Sequence, residues 1–250
     1  MAMTMTMCAG CGQNREPDAG GGFAAHHMEH DGVGGPPCPG GRPWRTWSYD
    51  PGRFPFPALV ALALGEDDLE SLRADLPRRT WRTDQQSPWH APFYEGFGGW
   101  RRVFRAFVRE AVAPRVGEPF YYQAVPTFRV HLPGNVAVGE FHTDARYHHP
   151  PGEVSHWVPL TRAGGTRGLW IEGDDGERHA PDVRPGHVVD FDAVHSTHGN
   201  LVNRTGLSRV SFDFRTLPVR LLPAEEGPPT EHTRMRFVPG GYYAAGAVAP

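Results

Sequence analysis

This chain predicts a mainly β fold, a jelly-roll-type barrel with supporting N-terminal helices, and three observations lead there. From residue 120 onward, eight short runs are rich in β-branched and aromatic residues at alternating positions, the pattern of half-buried strands. The runs are separated by turn formers, drawn from 31 glycines and 26 prolines in a chain of 250 residues. The helix-period patterns lie ahead of the runs, so helices should pack outside the barrel rather than alternate with its strands.

Taken in order, residues 1–41 are expected to stand apart from a single domain spanning 42–250. Met1 to Met7 alternates methionine with small residues, and 20–41 is dominated by Gly, Pro and His, a composition that cannot bury enough apolar surface to fold. The segment reads as disordered or as a mis-started N-terminus. Its Cys8, Cys11, His26, His27, His30 and Cys38 lack the four-ligand spacing of structural zinc motifs. Order is expected from Trp44. Leu59, Val60, Leu62, Leu69, Leu72 and Leu76 suggest one or two short helices capped by Asp67 or Asp68. A better helix is expected over 99–113, where Val103, Phe104, Phe107, Val108 and Ala111 recur at steps of three and four, opposite a solvated stripe of Arg101, Arg102, Arg105 and Arg109. Strands are predicted over 120–125, 127–132, 136–142, 154–160, 168–171, 187–191, 194–199 and 208–216.

Chemistry concentrates in His142-Thr143-Asp144. Positions two apart on a strand share a face, so the imidazole and the carboxylate can reach one ion while Thr143 points away. A second imidazole is expected from His198, preferred over His187 and His195 because Gly199-Asn200 follows it and Arg209 stands eleven residues further on. Two histidines and one carboxylate on one face of an octahedron leave three positions open, the arrangement of non-haem Fe(II) oxygenases. On the 208–216 strand Arg209, Ser211 and Asp213 share a face. Arg209 and Ser211 can hold a distant carboxylate through a charge-assisted fork and a hydroxyl, which points to 2-oxoglutarate. Arg129 and Trp157 are candidates to contact the same co-substrate or to line its pocket, with structural roles as the alternative.

Composition narrows the remaining classes. A net charge of −3 offers no basic field for nucleic acid. No stretch approaches the roughly 18 continuous apolar residues of a membrane helix, and no secretory leader opens the chain, so no membrane partner and a cytoplasmic location are expected. The three cysteines all precede residue 40, which rules out a disulfide framework for the folded part and agrees with ferrous chemistry in a reducing compartment.

From His142 to Arg215 the chain resembles the iron and 2-oxoglutarate-dependent oxygenases, and within them the streptomycin-cluster group of aminoglycoside biosynthesis. The resemblance is carried by the stretch His142 to Glu153, by Trp157-Val158-Pro159-Leu160-Thr161, by Leu169-Trp170-Ile171-Glu172, by His198-Gly199-Asn200 and by Thr205-Gly206 through Arg209 to Arg215. It implies a double-stranded β-helix, a cupin-like form of the jelly roll. It also implies Fe(II) on His142, Asp144 and His198, 2-oxoglutarate on Arg209 with help from Ser211, and O2 as the second co-substrate. Oxidative decarboxylation would release succinate and CO2 while a substrate C–H bond is oxidised, by hydroxylation or by ring closure such as orthoester formation. Asp144 disfavours halogenation, which needs a small residue there. One departure is Ser155-His156 ahead of Trp157, where an asparagine and an aromatic are expected, and it bears on the pocket wall.

The resemblance further implies a cationic, sugar-like small molecule as substrate, which calls for carboxylates near the metal but not on it. Glu153 and Glu172 are the candidates, with the acidic run Glu172, Asp174, Asp175 and Glu177 as a steering surface and His148 as a further contact or a plain loop residue. The competing class is a non-catalytic cupin-like sugar- or metal-binding protein. Such proteins tend to show His-x-His where this chain has His142-x-Asp144.

Overall fold

The structure is a computed structural model, and it describes residues 6–7, 14–15, 43–80, 82–225, 227–230 and 234–250. Most of the N-terminal segment, with its Cys and His residues, lies outside the described residues. Within it, β1 (Thr6–Met7) and β2 (Asn14–Arg15) pair antiparallel.

A six-stranded sheet organises the rest. Its order is β3 (Arg45–Ser48), β9 (His187–Phe191), β6 (Val154–Pro159), β11 (Arg209–Pro218) and β4 (Phe120–Tyr122), with β5 (Thr127–His131) lying beside β4 along the same edge of β11. Every pairing is antiparallel. A second sheet of three strands has the order β10 (His198–Gly199), β7 (Trp170–Glu172), β8 (Arg178–His179). The architecture is therefore mainly β with antiparallel sheets, as expected, and no closed barrel forms among the described residues.

Alternation along β11 decides what each face of the main sheet meets. Val210, Phe212 and Phe214 point to the helices and are fully buried there, while Arg209, Ser211, Asp213 and Arg215 point the other way. The helical layer is α1 (Phe56–Leu64), a 3-10 turn (Leu69–Ser71), and α2 (His90–Phe107), which continues through one π turn (Val108–Val112) into α3 (Ala113–Val116). Gly65 at φ +69 ends α1 in the left-handed region that glycine tolerates. Asp68 caps the 3-10 turn, accepting from Glu70 N at 2.9 Å and from the Ser71 hydroxyl.

α2 starts nine residues earlier than the sequence predicts. Gly96, Gly98 and Gly99 argue against a helix there by propensity, yet Phe93, Phe97, Trp100, Phe104 and Phe107 form one buried stripe at steps of four and three. Packing wins. A Cβ at Gly96 would come within 2.7 Å of Ala63 Cβ, so the glycine is what lets α2 cross close over α1. The stripe meets the sheet directly, with Phe93 stacked on Phe128 at 4.2 Å and Phe104 edge-on to Phe214 at 5.1 Å. The arginine stripe faces solvent, as expected.

Three sequence expectations are corrected. The predicted strand over 136–142 is a loop: Val136 and Ala137 are buried in succession, Val138 is half-buried at the cleft, and the backbone pairs only at Asn135 with Asn203 and at His142 with His198. The strands over 120–125 and 194–199 shrink to β4 and β10, whereas β3 and β8 are additions. Of the Ser155-His156 departure that bears on the pocket wall, His156 points to the helix side. There its Nδ1 meets Asp190 Oδ1 at 2.7 Å, its Nε2 meets Thr216 Oγ1 at 2.9 Å, and its ring stacks on Phe214. Ser155, its neighbour, takes the cleft side.

Candidate active site

Between the two sheets lies an open cleft of about 390 Å3. The main sheet contributes Arg129, Trp157, Arg209, Asp213 and Arg215, and the small sheet contributes His198. Trp157, Leu169, Ile171, Val189 and Phe191 form the apolar cluster that holds the sheets together beside it.

His142, Asp144 and His198 converge in this cleft, with one ligand atom from each lying within 4.8 Å of the others. Asp144 Oδ1 is 3.7 Å from His142 Nε2 and 3.6 Å from His198 Nε2. Local backbone explains the convergence. His142 and His198 exchange two backbone hydrogen bonds, His142 N to His198 O at 3.0 Å and His198 N to His142 O at 2.8 Å. Thr143 is extended, and Asp144 opens a 3-10 turn (Asp144–Tyr147), so the two-residue spacing keeps both side chains on one side without a continuous strand.

Each imidazole is oriented in the same way. His142 Nδ1 donates to Glu140 O at 3.0 Å and His198 Nδ1 donates to Ser196 O at 3.0 Å, which leaves both Nε2 lone pairs directed at the shared point. Burial, reinforced by the neighbouring His198, pulls the His142 pKa down to about 4, and burial lowers that of His198. Both rings are therefore neutral near pH 7, the state a metal ion needs. Burial alone would raise Asp144, but the Arg215 guanidinium and the surrounding histidines hold its carboxyl well below the usual range. The donor set thus fits a divalent first-row metal. His195 is out of the cleft, exposed and bonded to Asp192 at 2.8 Å. His187 bonds Arg184 O.

Arg209 is only 1% exposed, and its guanidinium has no carboxylate within ion-pair distance among the described residues. It donates from Nε to Arg167 O at 3.3 Å and from Nη1 to Ser211 Oγ at 2.8 Å, and it lies over the Trp157 ring at 5.4 Å. Trp157 Nε1 donates to the same Ser211 Oγ at 3.0 Å, leaving the hydroxyl hydrogen of Ser211 available. Burial, with the Arg129 charge adding to it, pulls Arg209 down to about 9. An isolated buried cation of this kind gains from an incoming anion.

The remaining candidates divide. Arg129 lines the cleft and pairs with Asp84 at 3.3 Å and Asp213 at 3.7 Å. Glu153 is buried behind the site, where its carboxylate takes His149 Nδ1 at 2.6 Å and the Tyr243 hydroxyl. His148 is exposed and ends the 3-10 turn at φ +69, and Glu172 sits at the end of β7 paired with Arg178 at 3.3 Å. None of these last three lines the cleft. Sequence reasoning missed Arg215, although extending the β11 alternation one step past Asp213 would have placed it on the same face.

Fold and site together define a mainly β protein with a two-histidine, one-aspartate centre in a cleft between its sheets. The chain belongs to the family of the streptomycin biosynthesis protein StrG of Streptomyces griseus, with which it shares 46% identity over 170 residues, 68% of this chain and 82% of that protein. No protein-family model matches it. Among solved structures it is similar to EctD from S. alaskensis with bound Fe, at 15% identity, TM-score 0.48, over 72% of this chain and 74% of that one. It is likewise similar to AviO1 from Streptomyces viridochromogenes Tue57, at 17% identity, TM-score 0.47, over 73% and 92%. A further similarity is to the non-heme alpha ketoglutarate dependent carbocyclase SnoK from nogalamycin biosynthesis, at 15% identity, TM-score 0.46, over 71% and 80%.

Proposed function

We propose that this chain is an Fe(II)- and 2-oxoglutarate-dependent oxygenase that oxidises a C–H bond of a cationic, sugar-like small molecule of aminoglycoside or aminocyclitol type. The observation that carries the reading is Arg209, a buried guanidinium without a carboxylate partner among the described residues, in the same cleft as a two-histidine, one-carboxylate donor set. His142, Asp144 and His198 would hold Fe(II) and leave open positions for a bidentate keto acid and O2. Bound there, Fe(II) would supply the activation of O2 coupled to conversion of 2-oxoglutarate to succinate and CO2.

The chain's own residues do the rest. Arg209 forks onto the far carboxylate of the keto acid, and Ser211 adds a hydroxyl donor. Trp157 fixes Ser211 by its indole N–H and covers the guanidinium, and Arg129 adds positive charge to the same wall. The substrate class is supported by the name of the StrG relative, which places that protein in streptomycin biosynthesis. Glu172 ends the strand that pairs with the His198 strand and the acidic turn follows it, where they would attract a cation toward the cleft, with exposed His148 as a further substrate-side candidate.

An anaerobic titration with Fe(II) and 2-oxoglutarate tests the reading through the weak visible charge-transfer band of the complex. Its absence from folded protein would favour a cupin-like binding module instead. Succinate formation against a panel of aminoglycosides and aminocyclitols then identifies the substrate. Mass spectrometry separates the outcomes: a hydroxylated product gains one oxygen, whereas a cyclised one loses two hydrogens.

A further inference from the structure

Arg215 sits between two carboxylates in the cleft wall. Its Nε and Nη2 both donate to Asp144 Oδ2, at 3.2 and 2.9 Å, and its Nη1 donates to Asp213 Oδ2. All three side chains are more than nine-tenths buried. Asp213 Oδ1 is 3.7 Å from Arg129 Nε, and Arg129 Nη1 is 3.3 Å from Asp84 Oδ2. The result is a row of alternating charges, Asp84, Arg129, Asp213, Arg215, that ends on the one carboxylate of the metal donor set.

We propose that Arg215, oriented by Asp213, is a positioning residue that reserves a single oxygen of Asp144 for the metal ion. The inference rests on the metal centre of the proposed function. A carboxylate can bind an ion through one oxygen or chelate it through both. Here Oδ1 faces the two Nε2 atoms while Oδ2 is held by a two-pronged guanidinium. Turning Oδ2 to the ion would break both charge-assisted bonds and leave a buried cation short of its partner. One-oxygen binding keeps three octahedral positions free, as a bidentate keto acid and O2 require, whereas chelation would fill one of them. The guanidinium also balances the Asp144 charge before any ion arrives, so the donor set is in place beforehand.

Lysine at position 215 separates charge from geometry, since an ammonium supplies the charge without the planar fork. The full chain is prepared metal-free as wild type, R215Q, R215K, D213N and H198A, with folding checked by circular dichroism at the assay temperature. Anaerobic Fe(II) titration gives the dissociation constant. The visible bands of the Co(II)-loaded protein, whose intensity falls as coordination number rises, give a readout that loss of structural support alone does not move. We expect R215Q to bind Fe(II) about 10- to 100-fold more weakly and to shift the Co(II) band intensity. R215K should regain part of the affinity and keep the shifted spectrum, and D213N should shift the spectrum in the same direction by less. Wild-type affinity and wild-type Co(II) bands in folded R215Q would overturn the proposal. If R215Q does not fold, the same result in R215K overturns it. Failure of wild type to bind Fe(II), or retention of binding by H198A, would instead remove the metal centre itself, in proteins where Arg215 is intact.

Discussion

The two faces of β11 are built from one strand and do opposite work. Toward the helices, Val210, Phe212 and Phe214 are fully buried among aromatic rings, with Phe212 5.2 Å from Phe56 and 5.8 Å from Trp100. Toward the cleft, Arg209, Ser211, Asp213 and Arg215 are also buried but polar, and Arg209 has no counter-charge among the described residues. Burial on the first face releases apolar surface from water and stabilises the fold. On the second it costs desolvation, which ion pairs offset at Asp213 and Arg215 but not at Arg209. A residue's depth therefore says little about its role in this sheet, whereas its parity along the strand says a great deal.

Substitutions on the two faces should separate binding from stability. The largest effect is expected from His198→Ala, which should abolish stoichiometric Fe(II) binding and succinate formation while leaving the melting temperature of the metal-free protein within a few degrees of wild type. Phe212→Ala should do the reverse, costing about 3–5 kcal/mol by cavity formation in a chemical denaturation experiment while the folded fraction still binds one Fe(II). If Phe212→Ala lost metal stoichiometry, the division of the strand would be wrong. Arg209→Gln should weaken 2-oxoglutarate by about 100-fold with Fe(II) binding retained, and it should not lower the melting temperature, because it removes an unpaired buried charge. A large fall in stability there would mean that the guanidinium is satisfied by the protein.

A pH titration sharpens the comparison further, since each face holds a buried neutral histidine. Burial, with Arg129 and Arg79 adding to it, lowers His90 to about 4 on the helix side, and burial with Arg209 lowers His131 to about 3 on the strand register opposite Arg209. The folded state holds both rings neutral, so the unfolded chain takes up protons first. Their contribution is complete above about pH 6.5 and is lost as pH falls toward 4. Asp144, shifted downward, keeps its contribution throughout that window. The melting temperature should therefore fall between pH 6.5 and 4, and His90→Gln should flatten the slope. A slope unchanged by that substitution would place the titration elsewhere. The smallest effect is expected from Glu172→Gln. It should change stability by less than about 1 kcal/mol, because its pair with Arg178 is solvent-exposed, and raise KM for a cationic substrate only a few-fold.

The parts of this molecule readable in its sequence are those governed by local period. The His142 and Asp144 spacing, the polar face of β11 and the 103–111 portion of the helical stripe all follow from which side chains share a side. Long-range partnership was not readable. Glu153, expected near the substrate, is taken up by His149 and by Tyr243 from the C-terminal segment, which no spacing announces. Val136, Ala137 and Val138 mimic a strand because a loop whose first residues are buried carries the same apolar composition. β3 was missed because a run of four residues is too short to show alternation, and it is defined by pairing with β9 and by Trp47 donating to Asp190 at 2.7 Å.

The reciprocal pair of backbone hydrogen bonds joining His142 and His198 has a kinetic consequence. Two stretches far apart along the chain are buttoned together at the very residues that present the imidazoles, independently of any ion. Removal of iron by a chelator should then leave the two rings side by side, and reloading should proceed at the pace of ligand exchange rather than of refolding.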